Sequence, residues 1–307
     1  MEKHSAAMLA KKMEAEMQWA TFQKLTMLKF TVFTLPWLVV AMLLALWDPA
    51  TAARVHLSPT IAVLMLLALI GARVAGMAFN RLIDQEQDSY NPRTLSRALP
   101  AGEVTRGQVI WIALGGLLLL FVSAATISWQ CLALALPLGA LLFLYSFAKY
   151  RTPYCHFIMS MNQALLPLCV LIALTGTIST SAVWVSIAIW LLIGANDVIY
   201  CIQDIGYDRK AGIHNLPAVL GAQKALYVAW ILHGVMVGAL FMAAWFAHAP
   251  LGIFLAVFAA AAFVAYENSR VDVKDNNTIM ATSFATNTFV PVILLAFATG
   301  EWVWQTL

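Results

Sequence analysis

The sequence predicts an all-α membrane bundle of about nine transmembrane helices, with polar loops capping it on the cytoplasmic side. Three observations lead there. Of the 307 residues, 62% are hydrophobic and 11% charged, whereas a soluble domain carries about 25% charged residues. Nine segments are apolar over enough of their length to cross a bilayer, which takes about 20 residues. Basic residues fall on alternate loops, the pattern of a polytopic protein under the positive-inside rule.

Taken in order, a polar segment, 1–28, precedes a single transmembrane unit, 29–307. The first long apolar run starts near Phe30, which leaves too long a polar lead for a signal peptide. Lys11, Lys12 and Lys24 alternate there with Met13, Met17, Trp19 and Phe22. That mixture suits either an amphipathic helix on the bilayer surface or a solvated helical lead-in. The spans follow at 30–47, 59–80, 107–127, 130–147, 157–176, 181–203, 223–246, 250–266 and 279–300. Pro137, Pro167 and Pro291 fall inside spans, where neighbouring helices can satisfy the backbone groups a proline frees.

The loops set the orientation. Sixteen of the eighteen Lys and Arg residues lie in the N-terminal segment or after spans two, four, six and eight. Arg54 sits on the opposite side, and Arg73 lies within span two. The N-terminus and these loops are therefore expected in the cytoplasm and the C-terminus outside, as in a bacterial inner-membrane protein. Two connections on the cytoplasmic side are long, 81–106 and 204–223, and connections of that length carry function. The net charge of +3 is too small to argue for nucleic acid, which is not expected as a partner. Cys131, Cys155, Cys169 and Cys201 show no CxxC pairing and read as buried thiols, not a disulfide framework or a zinc site.

Carboxylates mark both long connections. Asn80, Asp84 and Asp88 follow one another at steps of four. Each such step turns a helix by only about 40°, so the three form one stripe. Asp197, Asp204 and Asp208 lie within an arc of about 40°, with Tyr200 beside them. Each half of the chain thus ends a span in a DxxxD pair. Either pair alone suits solvated helix-end charges. Two pairs with the same spacing, depth and side point instead to a shared multivalent cation, because clustered carboxylates repel and are costly at a membrane. Hard oxygen donors suit Mg²⁺, which bridges carboxylates to substrate phosphates. Arg97 and Arg209 are near these pairs in sequence and Lys149 shares their side of the membrane, so all three would contact the same phosphates. Glu86, on the other face, reads as solvated. Arg73 shares the face of Asn80 about two turns deeper. It suits either a carboxylate or phenolate on a second substrate, or an intrabundle salt bridge or hydrogen-bonded role. His156 and His233 read as polar core residues with no assigned role.

Together these residues resemble the UbiA-type membrane prenyltransferases, above all the 4-hydroxybenzoate polyprenyltransferase-like group. The resemblance runs from Leu35-Pro36 to the ninth span. It is carried by Arg73, by Asn80-x3-Asp84-x3-Asp88, by Asn91-Pro92-Arg93-Thr94 and by Arg97-Ala98-Leu99-Pro100-Ala101-Gly102. The second half adds Asp197-x2-Tyr200-x3-Asp204-x3-Asp208-Arg209-Lys210 and Gly212-Ile213-His214-Asn215-Leu216-Pro217-Ala218. The resemblance implies a nine-helix bundle with a cytoplasmic active site under the two long connections. It implies Mg²⁺ held by Asp84, Asp88, Asp204 and Asp208, with Asn80, Arg97, Lys149 and Arg209 on the diphosphate. Asp197, Tyr200 and Arg73 would serve the reaction. The expected partners are a polyprenyl diphosphate, an aromatic acid acceptor and the lipid bilayer. The runs Phe79 to Asp84 and Asn91 to Thr94 look most like enzymes of the futalosine menaquinone route, which prenylate a dihydroxynaphthoate. Two departures bear on the acceptor: Lys29-Phe30 stands where many relatives have Glu-His, and Lys149-Tyr150-Arg151-Thr152 replaces Lys-Arg-aromatic-Thr.

The expected chemistry is charge neutralisation of a departing diphosphate, then attack by an electron-rich ring carbon on the allylic cation. Asp197, deeper than Asp204, is the candidate to orient or deprotonate the acceptor. A transporter would also carry buried carboxylates, but nearer the bilayer midplane. A non-catalytic scaffold leaves the aligned aspartates without a purpose.

Overall fold

A computed structural model describes residues 16–306. The part of the predicted amphipathic stretch before residue 16 therefore lies outside the described residues. What is described of it is helical from 16 to 26 and ends in Leu25 and Thr26, both fully buried. Leu25 packs with Ala78, Leu99 and Val109, so this end of the segment is tucked beneath the connection between spans two and three.

Among the described residues nine helices are long and apolar enough to cross a membrane. They run Leu28–Trp47, Pro59–Ile83, Arg106–Ile127, Trp129–Ala148, Cys155–Thr175, Thr180–Lys210, Ala222–Phe246, Leu251–Ser269 and Asn276–Glu301. There is no strand among them. The chain is an integral membrane protein. Starts are set by local chemistry: Pro36 and Pro59 sit in first turns, Ser58, Ser128 and Ser179 cap their helices, and Thr105 with Gln108 forms a capping box. Side chains such as Trp111, Trp129, Leu118 and Phe258 stay exposed, which is how a surface bathed in lipid reads.

Each span packs on its neighbour in sequence, and the ninth returns to the first. The sixth is the most enclosed, with 72% of its most apolar stretch buried against 39% or less elsewhere. The seam between spans two and three is the tightest. A Cβ added at Gly71 would sit 2.7 Å from the Gly116 carbonyl oxygen, and one at Gly116 would sit 2.6 Å from the Ala75 nitrogen. In lipid, where apolar burial does not drive helices together, such backbone contact is a main source of association.

Three departures from straight helices matter. Span five divides at Leu165 into Cys155–Ala164 and Leu166–Thr175, and Pro167 opens the second piece instead of lying within one helix. Span two ends at Ile83. Asp84, at φ −87° and ψ 0°, joins it to a short helix, Gln85–Tyr90. Span six reaches Cys201, passes through a 3-10 turn, Ile202–Asp204, and resumes as Ile205–Lys210. The predicted polar stripes therefore cross helix breaks. They survive because the i to i−4 hydrogen bonds from Asp84 to Asn80 (2.9 Å) and from Asp88 to Asp84 (2.8 Å) continue through the first break.

A buried polar layer crosses the second half of the bundle. Thr286 donates to the Asn196 side chain (2.6 Å) and Ser283 to its carbonyl (3.0 Å). Asn268 meets His233 at 2.9 Å, and Thr282 donates to the Glu267 carbonyl at 3.1 Å.

Candidate active site

The two breaks face each other across one polar cavity of ≈ 230 Å³. Its wall includes Asn80, Asp84, Asp88, Arg97, Lys149, Asp197, Tyr200, Asp204 and Asp208, nine of the residues singled out from sequence. In each half the first aspartate of the pair stands at the break and the second lies one turn into the short helix.

Every one of the four pair carboxylates has a protein donor. Asp84, 2% exposed, accepts from Asn80 Nδ2 (2.7 Å) and the Tyr150 hydroxyl (2.9 Å), and pairs with Lys149 Nζ (2.7 Å). Arg97 Nη1 contacts both oxygens of Asp88 at 2.6 Å. Arg93 grips Asp204 with two bonds, of 3.0 and 2.8 Å, and donates a third to the Tyr200 hydroxyl at 3.0 Å. Asn215 donates to Asp208 at 2.6 Å. Burial works against the Arg93 cation, but the Asp204 carboxylate outweighs it and raises the guanidinium pKa. At Tyr150, burial and then the charge of Asp84 and their hydrogen bond push the phenol well up, so it remains a donor.

Bonds also join the two halves directly. Besides Arg93, the Tyr207 hydroxyl donates to the Gln87 carbonyl at 2.9 Å and so ties one short helix to the other. Four carboxylates around one cavity form a hard oxygen set that fits a divalent cation of the Mg²⁺ type.

A second cavity, of ≈ 240 Å³ and mostly apolar, shares Tyr145 and Met159 with the first as lining. Arg73 lines it alongside Leu69, Leu138 and Leu166. Its Nη2 donates to Thr34 at 3.4 Å, and among the described residues it forms no ion pair. Arg73 is thus a deep cation left to face an apolar cavity next to the polar one.

Arg209 does not join the site. Its Nε donates to the Ala218 carbonyl at 2.7 Å, and it lines neither cavity. One residue beyond Asp208 on a helix is a turn of about 100°, which carries it to the outer face. The diphosphate role expected of it is withdrawn on that geometry. Conversely Arg93, His156 and Asn215 line the cavity, and Tyr150 bonds to Asp84 on its wall, although helical periodicity gave them no role. Each lies on or beside a connection, where periodicity carries no directional information. Only the motifs around Arg93 and Asn215 signalled them.

Comparison with known proteins finds relatives in both sequence and structure. The sequence profile of the UbiA prenyltransferase family matches residues 38–288. The 4-hydroxybenzoate octaprenyltransferase of Tolumonas auensis is 24% identical over 91% of this chain and 96% of its own. That of Methylococcus capsulatus is 29% identical over 58% of this chain, a match spanning 61% of the relative. Among solved structures, a UbiA homologue from Aeropyrum pernix superposes with a TM-score of 0.77 at 26% identity, covering 90% of this chain and 98% of the other. One from Archaeoglobus fulgidus, bound to GPP and Mg²⁺, shares the fold with a TM-score of 0.68 at 19% identity, over 91% and 99%.

Proposed function

The chain belongs to the UbiA prenyltransferase family, and from that premise we propose that it moves a polyprenyl group from an allylic diphosphate to an aromatic acid. It is an enzyme, an aromatic prenyltransferase of the membrane. The acceptor we propose is of the 4-hydroxybenzoate or dihydroxynaphthoate type, in the biosynthesis of ubiquinone or menaquinone. The observation that carries this reading is the pair of DxxxD breaks around one polar cavity, beside an apolar cavity lined by Arg73, which forms no ion pair among the described residues. A transporter reading gives way because the carboxylates gather at one end of the bundle and the family is one of prenyltransferases.

Mg²⁺, as bound by the Archaeoglobus relative, would be held by Asp84, Asp88, Asp204 and Asp208 and would supply positive charge for the diphosphate. Asn80, Arg97 and Lys149 would complete the diphosphate cradle, Arg97 and Lys149 turning from their aspartates to phosphate oxygens. The allylic C–O bond breaks with its electron pair leaving on the diphosphate. A ring carbon of the acceptor then supplies the pair for the new C–C bond. The proton on that carbon leaves to a base, and aromaticity returns. Asp197, on the wall of the polar cavity, is our candidate for that base or for orienting the acceptor, with Tyr200 beside it. Arg73 would hold the acceptor carboxylate, and the apolar cavity the first units of the prenyl chain.

Purified protein in detergent, given Mg²⁺, a labelled prenyl diphosphate and a panel of aromatic acids, is expected to yield a prenylated acid. Failure with every acid on the panel would refute the reading. Arg73→Lys keeps the charge but loses the fork that matches a carboxylate. Losing one charge-assisted hydrogen bond costs about 1.5 kcal/mol, roughly tenfold, and this loss is expected in acceptor kcat/KM with donor KM unchanged. A selective donor defect, or a general fall in melting temperature, would contradict the acceptor role.

The two long connections are proposed to face the cytoplasm, with the N-terminus inside and the C-terminus outside. A cysteine placed at Ser96 should then react only with reagent on the cytoplasmic side, and one at Thr306 only with reagent outside. The reverse labelling would invert the proposed orientation.

A further inference from the structure

His156 is 1% exposed at the start of span five and belongs to neither DxxxD pair. Its Nδ1 lies 2.6 Å from Asp197 Oδ2. Its Nε2 accepts the backbone N–H of Leu216, in the connection between spans six and seven, at 3.3 Å. A ring nitrogen that accepts a hydrogen bond carries no proton, so the proton of the neutral ring is on Nδ1, where it is donated to Asp197. The backbone of the connection thereby selects the tautomer that the carboxylate needs. Asp197 keeps 28% of its side chain exposed on the polar cavity, while His156, on the same wall, keeps only 1%.

His156, Asp197 and Cys201 also present ligand atoms within 4.8 Å of one another, a set of the kind a zinc ion uses. The Leu216 N–H argues against that use. A metal at Nδ1 would require the proton on Nε2, pointed at another donor.

We propose that His156 is a positioning residue for the prenyl transfer reaction. It holds Asp197 toward the acceptor through an Nδ1–H bond whose tautomer is fixed by the Leu216 backbone. The inference rests on the proposed acceptor-side role of Asp197. Partners that orient metal ligands cost about 10–100-fold when removed, and a loss of the same order is expected for a partner that orients Asp197.

Asparagine places its amide nitrogen near the position of Nδ1, and glutamine reaches only the position of Nε2. His156→Asn therefore keeps the donor to Asp197, whereas His156→Gln and His156→Phe lose it. With a labelled prenyl diphosphate and an aromatic acid, His156→Gln and His156→Phe are expected to lower acceptor-dependent kcat about 10–100-fold. Donor KM should be unchanged, and His156→Asn should recover most of the loss. In an Asp197→Asn background, His156→Phe should cost little more, because the two residues act as one unit.

Four outcomes would overturn the proposal: wild-type kcat in His156→Phe, equal losses in His156→Asn and His156→Phe, donor and acceptor parameters falling together, or additive losses in the double variant. Wild-type protein that prenylates no aromatic acid, or an Asp197→Asn variant as active as wild type, would instead show that the underlying functional reading is at fault.

Discussion

Asp84→Ala and Asp204→Ala are each expected to bring prenyl transfer close to background while leaving the protein folded. The two carboxylates stand at the two helix breaks, on opposite sides of the polar cavity. Removing either takes one anchor from the proposed metal–diphosphate site. Charge stabilisation at such a site is worth several kcal/mol, which is on the order of 10³-fold in rate. Asp84 is also the acceptor for Asn80 and Tyr150 and the partner of Lys149. Its loss frees Lys149 to turn toward the cavity, so the cost to folding is smaller than burial alone suggests. Asp84→Asn preserves the shape and separates charge from packing. Turnover should be measured with the metal limiting, alongside melting in detergent and donor binding. Near-normal turnover in either alanine variant would remove the two-pair model of diphosphate binding.

Gly116→Leu should act through the scaffold. A Cβ there meets the Ala75 nitrogen at 2.6 Å and the Gly71 carbonyl oxygen at 2.9 Å, and both are backbone atoms that no rotamer change can move. Overpacking costs about 1–3 kcal/mol, and more where backbone must shift. The seam also sets the angle of span two, whose end carries Asn80 and Asp84. The expected result is a large fall in folded yield and melting temperature. Gly115→Leu is the control, since a Cβ at Gly115 meets nothing within 4 Å. Equal damage from both variants would mean that close backbone approach is not what the seam depends on.

The parts of this molecule legible in its sequence are those governed by one helix at a time. Span count follows from length and hydropathy, and the observed spans differ from the expected ones mainly at their ends: the sixth extends to Lys210 because the helix resumes after its 3-10 turn. The aspartates were legible because a step of four keeps a side chain on one face. Arg209 went astray by the same geometry, since nearness in sequence to Asp208 was taken for nearness in space. Arg93 and Asp204 are 111 residues apart and His156 and Leu216 are 60 apart. Neither pairing leaves a periodic trace. The seam was also hidden, because two adjacent glycines in one apolar run do not announce which of them faces a helix and which faces lipid.

The polar layer in the second half has a consequence for how the protein is made. Asn196 finds its side-chain partner in Thr286, 90 residues further along the chain. At the ribosome's pace of about 5–20 residues per second, that partner arrives on the order of ten seconds later. His233 waits for Asn268 over 35 residues, roughly a third of that time. During those seconds span six is synthesised and apolar enough to enter the membrane, yet it carries an amide whose partner does not exist. Spans six to nine therefore share polar contacts that are complete only once all four have been made. A chain stopped after span eight contains Asn196 but not Thr286, so the sixth helix would reach the bilayer with its central amide exposed and would be a natural substrate for membrane quality control.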